Sequence, residues 1–283
     1  AFLPWHRVFL MIIEDAIRAL GGEYECFAMP YWDWTHEPTP FEVAYNNQTL
    51  IIMNSGIGND SIGGCQNSGS PFDFDEYIPR SPWFTTEGLF SPTGQPCLVR
   101  GLSYESYADR GGLGACWFTS PTEMIDIIGS TNLYAQFDGF LEGAPHSKPH
   151  VCMWGNMITF WSPDDPAFYL HHAFVDYLWA VWQDCWDYDG VPIESVTTDM
   201  FAPLSGLEYE LEFQPYTDET WTPADVLDLS DYDIMYEEGP FFYNVDVHNN
   251  GNCSGPINPD WFMPSDPVGR KGNPRGPRRR MQD

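Results

Sequence analysis

The fold is decided by two stretches of sequence, PHSKPH at residues 145–150 and SPDDPAFYLHHAFVDYLW at residues 162–179. Their histidines His146, His150 and His172 could converge on one metal ion without any cysteine ligand. Neutral imidazole binds zinc, copper, iron and nickel, so three such rings leave the identity of the metal open. These stretches therefore predict a metal site, and other motifs must narrow the choice of metal.

The first apolar pattern along the chain predicts a helix over residues 7–20. Spacings of three and four residues place one set of apolar side chains on a single face of that helix. The members of this set are Leu10, Ile13, Ile17 and Leu20. Gly21 and Gly22 follow directly and are expected to end the helix.

Two further helices are predicted later in the chain, at residues 121–141 and at residues 166–183. Pro121 lies near the start of the first, and Pro166 suits the first turn of the second. The intervening residues 36–120 are rich in Gly, Pro, Ser and Asn and are expected to form long loops. The pattern predicts a mainly α fold class.

The position of Pro149 predicts where the helix that carries His150 begins. Proline inside a helix loses a backbone hydrogen bond, so we expect the helix to start near Ser147 with Pro149 in its first turn. His146 would then lie at the entrance of this helix rather than one full turn below His150.

The composition excludes several classes of protein. No apolar run is long enough to span a membrane. The net charge of −29 disfavours nucleic acid and anionic membranes as partners, although solubility in a salty medium explains it equally well. The length suits one large domain, or one domain with an appendage.

Cysteines and glycosylation motifs indicate an oxidising compartment. The chain has seven cysteines and no CxxC pair, which favours scattered disulfides over a zinc ribbon. Three Asn-x-Ser/Thr motifs begin at Asn47, Asn59 and Asn252 and permit glycosylation of a secreted protein. We therefore expect a secreted, disulfide-bonded glycoprotein.

Two more motifs give the sequence a family resemblance: FLPWHR at residues 2–7 and PYWDW at residues 30–34. With the DPxFxLHHxxxD element, they make residues 1–236 resemble the coupled dicopper family of tyrosinase, catechol oxidase and molluscan haemocyanin. The resemblance implies a mainly α helix bundle around a dicopper centre, framed by long loops. Residues 237–283 would form a small irregular Gly- and Pro-rich extension. Secreted invertebrate members resemble the chain most, and its start inside FLPWHR suggests a longer protein.

The resemblance also implies the ligands of two copper ions. His146, His150 and His172 correspond to the three ligands of the copper-B site. His6 corresponds to the third ligand of the copper-A site, whose other two ligands precede FLPWHR in the family. His171, about 100° around the helix from His172, is expected to be a packed neighbour.

Several neighbouring residues have counterparts in the family. Glu142 resembles a glutamate that positions a water near copper and so serves as a general base at one remove. Ser147 follows His146 where members that hydroxylate monophenols often have Asn, so it favours catechols over monophenols. Phe168 is expected to form a pocket wall, and Phe160 is a further candidate for that role.

Two carboxylates are expected to support the site rather than to react. Asp176 lies one turn after His172 and is expected to accept a hydrogen bond from an imidazole. Glu14 resembles a structural carboxylate of the family and is expected to pair with Arg7 or Arg18.

The resemblance implies extracellular, copper-dependent oxidation of o-diphenols, and of monophenols if Ser147 permits, to o-quinones with dioxygen. The quinones would crosslink proteins or form pigment. Two alternatives stay open: an oxygen carrier like molluscan haemocyanin, and a structural protein that has lost the dicopper centre.

The basic tail at residues 270–283 suggests a partner. It holds half of the 12 Lys and Arg residues, while the rest of the chain is strongly acidic. We expect the tail to dock on an acidic surface of its own chain or of a second copy, which would give a homo-oligomer. A basic processing site at residues 278–280 is the alternative.

Overall fold

The computed structural model describes residues 2–36, 118–153, 155–160, 162–186, 209–213, 216–232, 234–237 and 262–263. Several expectations lie outside these residues. They concern the loops after His36, the three glycosylation motifs, four of the cysteines and the basic tail. Among the described residues, no helix is long and apolar enough to cross a membrane.

The described part of the chain is mainly α, as predicted. Its α-helices are α1 (Phe2–Arg18), α2 (Pro121–Ser130), α3 (Tyr134–Glu142), α4 (Ala144–Met153) and α5 (Pro166–Cys185). Short 3-10 helices span Gly22–Tyr24, Trp34–His36, Gly155–Ile158, Ser162–Asp164, Pro223–Val226 and Leu229–Tyr232. Two short strands, β1 (Tyr236–Glu237) and β2 (Phe262–Met263), pair in parallel with Tyr236 opposite Phe262. Strand β2 adds a regular element to the predicted irregular extension.

The chain divides into two compact units. The first unit comprises Ala1–Asp33, Pro121–Gly143 and His172–Asp283. The second comprises Trp34–Ser120 and Ala144–His171. The division falls inside α5, between two consecutive histidines. The expected boundary between residues 236 and 237 stays a prediction.

Helix α1 is buried mainly along its N-terminal half. Its buried residues are Leu3, Pro4, Arg7, Val8, Phe9, Leu10 and Met11. Leu20, the last member of the predicted apolar set, lies beyond the helix end and is 62% exposed. The reason is that Gly21 and Gly22 adopt φ values of 73° and 63°, which turn the chain away.

Glu14 pairs with Arg18 at 2.7 Å, so the second of its two expected partners is confirmed.

A buried ion pair joins α1 to the part of α5 that belongs to the same unit. Arg7 is 1% exposed and donates from Nε to Asp176 at 2.7 Å. Its terminal nitrogens donate to Gln183 and to the carbonyl of Val226, and its guanidinium lies 3.7 Å from the centre of the Trp179 ring. A buried charge of this kind is tolerated only when hydrogen bonds satisfy it on all sides.

The helix predicted over residues 121–141 is two helices. α2 ends at Ser130 and α3 begins at Tyr134. At the break, the Thr131 hydroxyl accepts a hydrogen bond from the backbone N–H of Leu133, and the Thr131 carbonyl accepts one from the Trp182 indole. Since these bonds replace helical ones, local side-chain chemistry and a tertiary contact break the helix.

Helix α5 confirms the prediction for residues 166–183 and for Pro166 in the first turn. The carboxylate of Asp165 accepts a hydrogen bond from the backbone N–H of Ala167, which caps the helix start. In the first unit, the Trp182 ring stacks on Phe137 of α3 at 4.6 Å. Cys152 and Cys185 each take part in a disulfide bond, whereas Cys26 is free and exposed.

Replacing Arg7 by Met should lower the free energy of unfolding by about 3–5 kcal/mol, measured by urea denaturation. Burial raises the pKa of Asp176, and Arg7 offsets part of that effect, so R7M leaves a poorly compensated buried carboxylate. Asp15→Asn is the control, because the Asp15–Arg18 contact is 3.7 Å long and half-exposed and should contribute less than about 1 kcal/mol. Equal losses in the two variants would contradict this account of the ion pair.

Asp138 should make the protein less stable as the pH rises. Burial raises the pKa of Asp138 to about 6, and the Tyr134 hydroxyl, 2.9 Å away, lowers it in part. The folded state therefore holds this proton more tightly than the unfolded state. The stabilisation that this proton gives to the folded state is about 3 kcal/mol at most. It is complete below pH 4 and is lost as the pH rises through 6.

Thermal unfolding of Asp138→Asn between pH 4 and 7.5 checks this expectation. The amide keeps an oxygen for Tyr134 but cannot ionise, so the variant should gain stability over the wild type as the pH rises. Asp126→Asn, which changes an exposed carboxylate on α2, should follow the wild-type curve. An Asp138→Asn curve parallel to the wild type would show that Asp138 is not the group responsible.

Candidate metal centre

Helix α4 carries two of the predicted ligands, His146 and His150, one turn apart. It begins at Ala144, so the predicted start near Ser147 was wrong. The two imidazole rings meet edge to face, with their centroids 4.7 Å apart. His146 therefore lies within the helix, one turn below His150, and not at its entrance.

Pro149 lies inside α4 and not in its first turn. It has no N–H, so the carbonyl of Pro145 loses its usual donor four residues later. Both prolines are buried in the second unit, together with Cys152 and Met153. Packing of these apolar side chains overrides the local preference against proline, which is why the sequence rule misplaced the helix start.

His150 is held in the form that a metal ligand needs. Its Nδ1 lies in hydrogen-bond contact with the carbonyl of Met157. A carbonyl only accepts, so Nδ1 carries the proton and Nε2 keeps its lone pair. Burial lowers the pKa of His150, while the Met157 carbonyl and the charge of Asp165 partly oppose the shift. The neutral imidazole that results is the form that binds metals.

His171 lies against both histidines of α4. Its ring stacks on His146 at 5.3 Å and meets His150 edge to face at 4.9 Å. Its Nδ1 is 3.1 Å from the indole nitrogen of Trp34. Phe168, one turn earlier in α5, is buried and lies edge to face with His150 at 6.0 Å. The predicted role of Phe168 as a pocket wall stays a prediction.

His6 and His172 form a stacked pair in the first unit. Their ring centroids are 3.9 Å apart and their planes differ by 2°. Nδ1 of His6 lies 2.9 Å from the carbonyl of Phe2, so its proton is on Nδ1 and Nε2 can bind a metal, as in His150. Phe2 also packs edge to face against both rings.

The donor set fits a metal that prefers nitrogen. His146, His150 and His171 each offer a ring nitrogen, and these atoms lie within 4.8 Å of one another. Neutral imidazoles suit copper and zinc better than magnesium or calcium, which prefer oxygen ligands.

A family model described as the common central domain of tyrosinase matches residues 1–185. The chain belongs to the tyrosinase family. The tyrosinase of Streptomyces lincolnensis is 30% identical over 246 residues, which cover 81% of this chain and 76% of that protein. The tyrosinase of Streptomyces glaucescens is 30% identical over 242 residues, with the same two coverages. The tyrosinase-like protein phomQ1' of Diaporthe leptostromiformis is 33% identical over 191 residues, which cover 65% of this chain and 48% of that protein.

Membership of the tyrosinase family supports copper-dependent oxidation of phenols as the general activity class. It also decides between the metals that the imidazoles alone left open, in favour of copper. The expected closeness to invertebrate members of the tyrosinase family stays a prediction.

Asp176 has other partners than those expected from its place in the tyrosinase-family motif. It is buried, and one oxygen accepts from Arg7 and the other from the hydroxyl of Tyr236. Burial and the charge of Asp176 raise the pKa of Tyr236, which keeps its proton to donate. Asp176 therefore orients a buried arginine and not an imidazole, because both of its oxygens already accept hydrogen bonds from Arg7 and Tyr236.

Three other predicted residues, Glu142, Ser147 and Phe160, differ in how far they are buried. Glu142 ends α3, is partly buried and raises the pKa of Asp138 by its charge. Its role near copper stays a prediction. Ser147 is exposed on α4, next to His146. Phe160 is 95% exposed, which corrects its suggested role as a pocket wall, because its ring projects into solvent.

Sequence reasoning missed two residues that orient the histidines. Trp34 was given no role at the site, yet its indole contacts His171. Met157 acts through its backbone carbonyl, which no side-chain pattern reveals. The available signal for Trp34 was the family motif PYWDW, in which a buried indole N–H needs an acceptor.

Proposed function

We propose that this chain oxidises o-diphenols to o-quinones with dioxygen at a copper centre. Membership of the tyrosinase family supports the reaction class. The observation that carries the proposal is the pair His146 and His150, in which His150 is neutral and its Nε2 is available to a metal.

The tyrosinase-family motifs assign the copper ligands within this proposal. His146, His150 and His172 would hold one copper ion, and His6 would be a ligand of a second. His6 supports the assignment by its protonated Nδ1, and it stacks on His172. Bound copper would supply the redox chemistry that transfers electrons from the phenol to dioxygen.

The protein's own side chains would prepare this chemistry. The carbonyls of Phe2 and Met157 fix which nitrogen of His6 and of His150 faces a metal. Phe168 would keep water from one side of His150 and give an aromatic substrate an apolar surface. Glu142 would take the phenol proton through a water molecule, as the family resemblance suggests.

We propose secretion as the setting of this activity. The disulfide-bonded Cys152 and Cys185 support an oxidising compartment, since cytosolic thiols are normally kept reduced. The three glycosylation motifs agree with that route. In such a setting the quinones would crosslink proteins or form pigment.

Replacing His150 by Ala should abolish copper-dependent oxidation of a catechol and lower copper affinity by at least about a hundredfold. The reason is that loss of a ligand should exceed the tenfold to hundredfold effects seen when a supporting residue is lost. Copper titration followed by a quinone absorbance assay measures both quantities.

Lys148→Ala is the matched control, because Lys148 lies on the same helix between the two histidines and carries no ligand atom of this group. It should bind copper and oxidise catechol as the wild type does. If copper binding and catechol oxidation survive in His150→Ala, the proposed centre is wrong.

Replacing Ser147 by Asn should raise the rate on a monophenol relative to a catechol. An amide next to His146 can hold a water molecule that accepts the phenolic proton. Oxidation of a catechol depends less on such a proton acceptor than oxidation of a monophenol does. The ratio of kcat/KM for the two substrates is the measure, and Ser147→Ala, which lacks the amide, should leave it low. An unchanged ratio in Ser147→Asn would remove Ser147 from the account of specificity.

A further inference from the structure

The hydrogen bond between Trp34 and His171 has a fixed direction. An indole nitrogen can only donate, so Nδ1 of His171 must accept and cannot carry a proton. The neutral ring therefore holds its proton on Nε2. Both side chains are fully buried, so water does not compete for this bond.

This polarity is the reverse of that at His150. Nδ1 of His150 donates to the Met157 carbonyl, which leaves a lone pair on Nε2. In metal sites, a ligating histidine almost always donates its second N–H to an acceptor in the same way. His171 has no such arrangement, because its Nδ1 faces a donor and its Nε2 carries the proton.

The ring of His171 nevertheless lies beside the pair on α4. Its centroid is 5.3 Å from that of His146 and 4.9 Å from that of His150. Since Trp34 occupies Nδ1, the nitrogen that His171 can offer toward the pair is Nε2. That atom presents a hydrogen-bond donor where a metal ligand would present a lone pair.

We propose that Trp34 is a positioning residue that keeps His171 out of the metal's ligand set and leaves it as an Nε2–H donor beside the metal. Its partner would be an anionic or oxygen-bearing molecule bound to the ion that His146 and His150 hold. The proposal rests on the proposed function for the presence of that ion, but the direction of the Trp34–His171 bond does not.

This role distinguishes two consecutive histidines of α5 that sequence spacing alone cannot rank. A negatively charged group on the metal would gain a charge-assisted hydrogen bond from His171. Such bonds contribute about 1.5–3 kcal/mol, which corresponds to roughly tenfold or more in affinity. His171 would thus affect what binds to the metal, while leaving the binding of the metal itself almost unchanged.

The first test needs no metal. Nitrogen-15 NMR of the imidazoles should show the proton of His171 on Nε2 and that of His150 on Nδ1. Trp34→Phe should release the His171 tautomer and leave His150 unchanged. The matched control is Trp182→Phe, which also removes a buried indole hydrogen bond, but one to the carbonyl of Thr131 and not to a histidine. A wild-type His171 protonated on Nδ1 would overturn the proposal.

The second test uses copper and the azide ion as a probe. His171→Ala should bind copper within about threefold of the wild type, and its copper should bind azide at least tenfold more weakly. His171→Gln, whose amide can donate, should recover part of the azide affinity. Loss of copper from His171→Ala as severe as in His150→Ala, or unchanged azide binding, would overturn the proposal.

The measurements distinguish failure of the proposed function from failure of the proposed role of His171. If the wild type binds copper but does not oxidise catechol, the proposed function fails while the copper and azide measurements still decide the role of His171. If it binds no copper, the donor role at a metal is wrong, and the NMR result shows only whether Trp34 sets the tautomer.

Discussion

A neutral imidazole offers a metal the lone pair of one ring nitrogen, while its other nitrogen keeps the proton and usually donates a hydrogen bond to an acceptor. Among the described residues, backbone carbonyls are such acceptors, that of Phe2 for His6 and that of Met157 for His150. Burial also keeps His150 neutral. The helices and loops that present these carbonyls matter because they select the tautomer, and the chemistry of the centre depends on that selection.

The ion pair of Arg7 and Asp176 gives the same kind of support to the histidines of the first unit. Arg7 directly follows His6, and Asp176 lies one turn after His172 on α5. The pair joins the two helices through a 2.7 Å hydrogen bond, with further bonds to Gln183 and Val226. The face-to-face stacking of His6 on His172 follows from helices held in this way. A charge buried at considerable cost thus positions two aromatic rings.

Much of this arrangement could be predicted from the sequence, because its strongest signals are local. The apolar pattern and Pro166 predicted α5, and the histidine spacing predicted which rings of α4 meet. Predictions failed where tertiary contacts overrode local rules. Packing keeps Pro149 inside α4, the Trp182 indole helps to break the helix at Thr131, and Arg7 claims Asp176. The acceptor role of the Met157 carbonyl toward His150 and the donor role of the Trp34 indole toward His171 follow from three-dimensional contacts that spacing does not encode.

Crystallography of the copper-loaded protein, with anomalous scattering measured at the copper absorption edge, tests the central claim most directly. The account predicts an anomalous peak that marks a copper ion about 2 Å from Nε2 of His146 and of His150, the length of a metal–imidazole bond. It also predicts that Nδ1 of His150 still donates to Met157. A copper ion bound through Nδ1 of His150, or bound only by carboxylates or Cys26, would contradict the account.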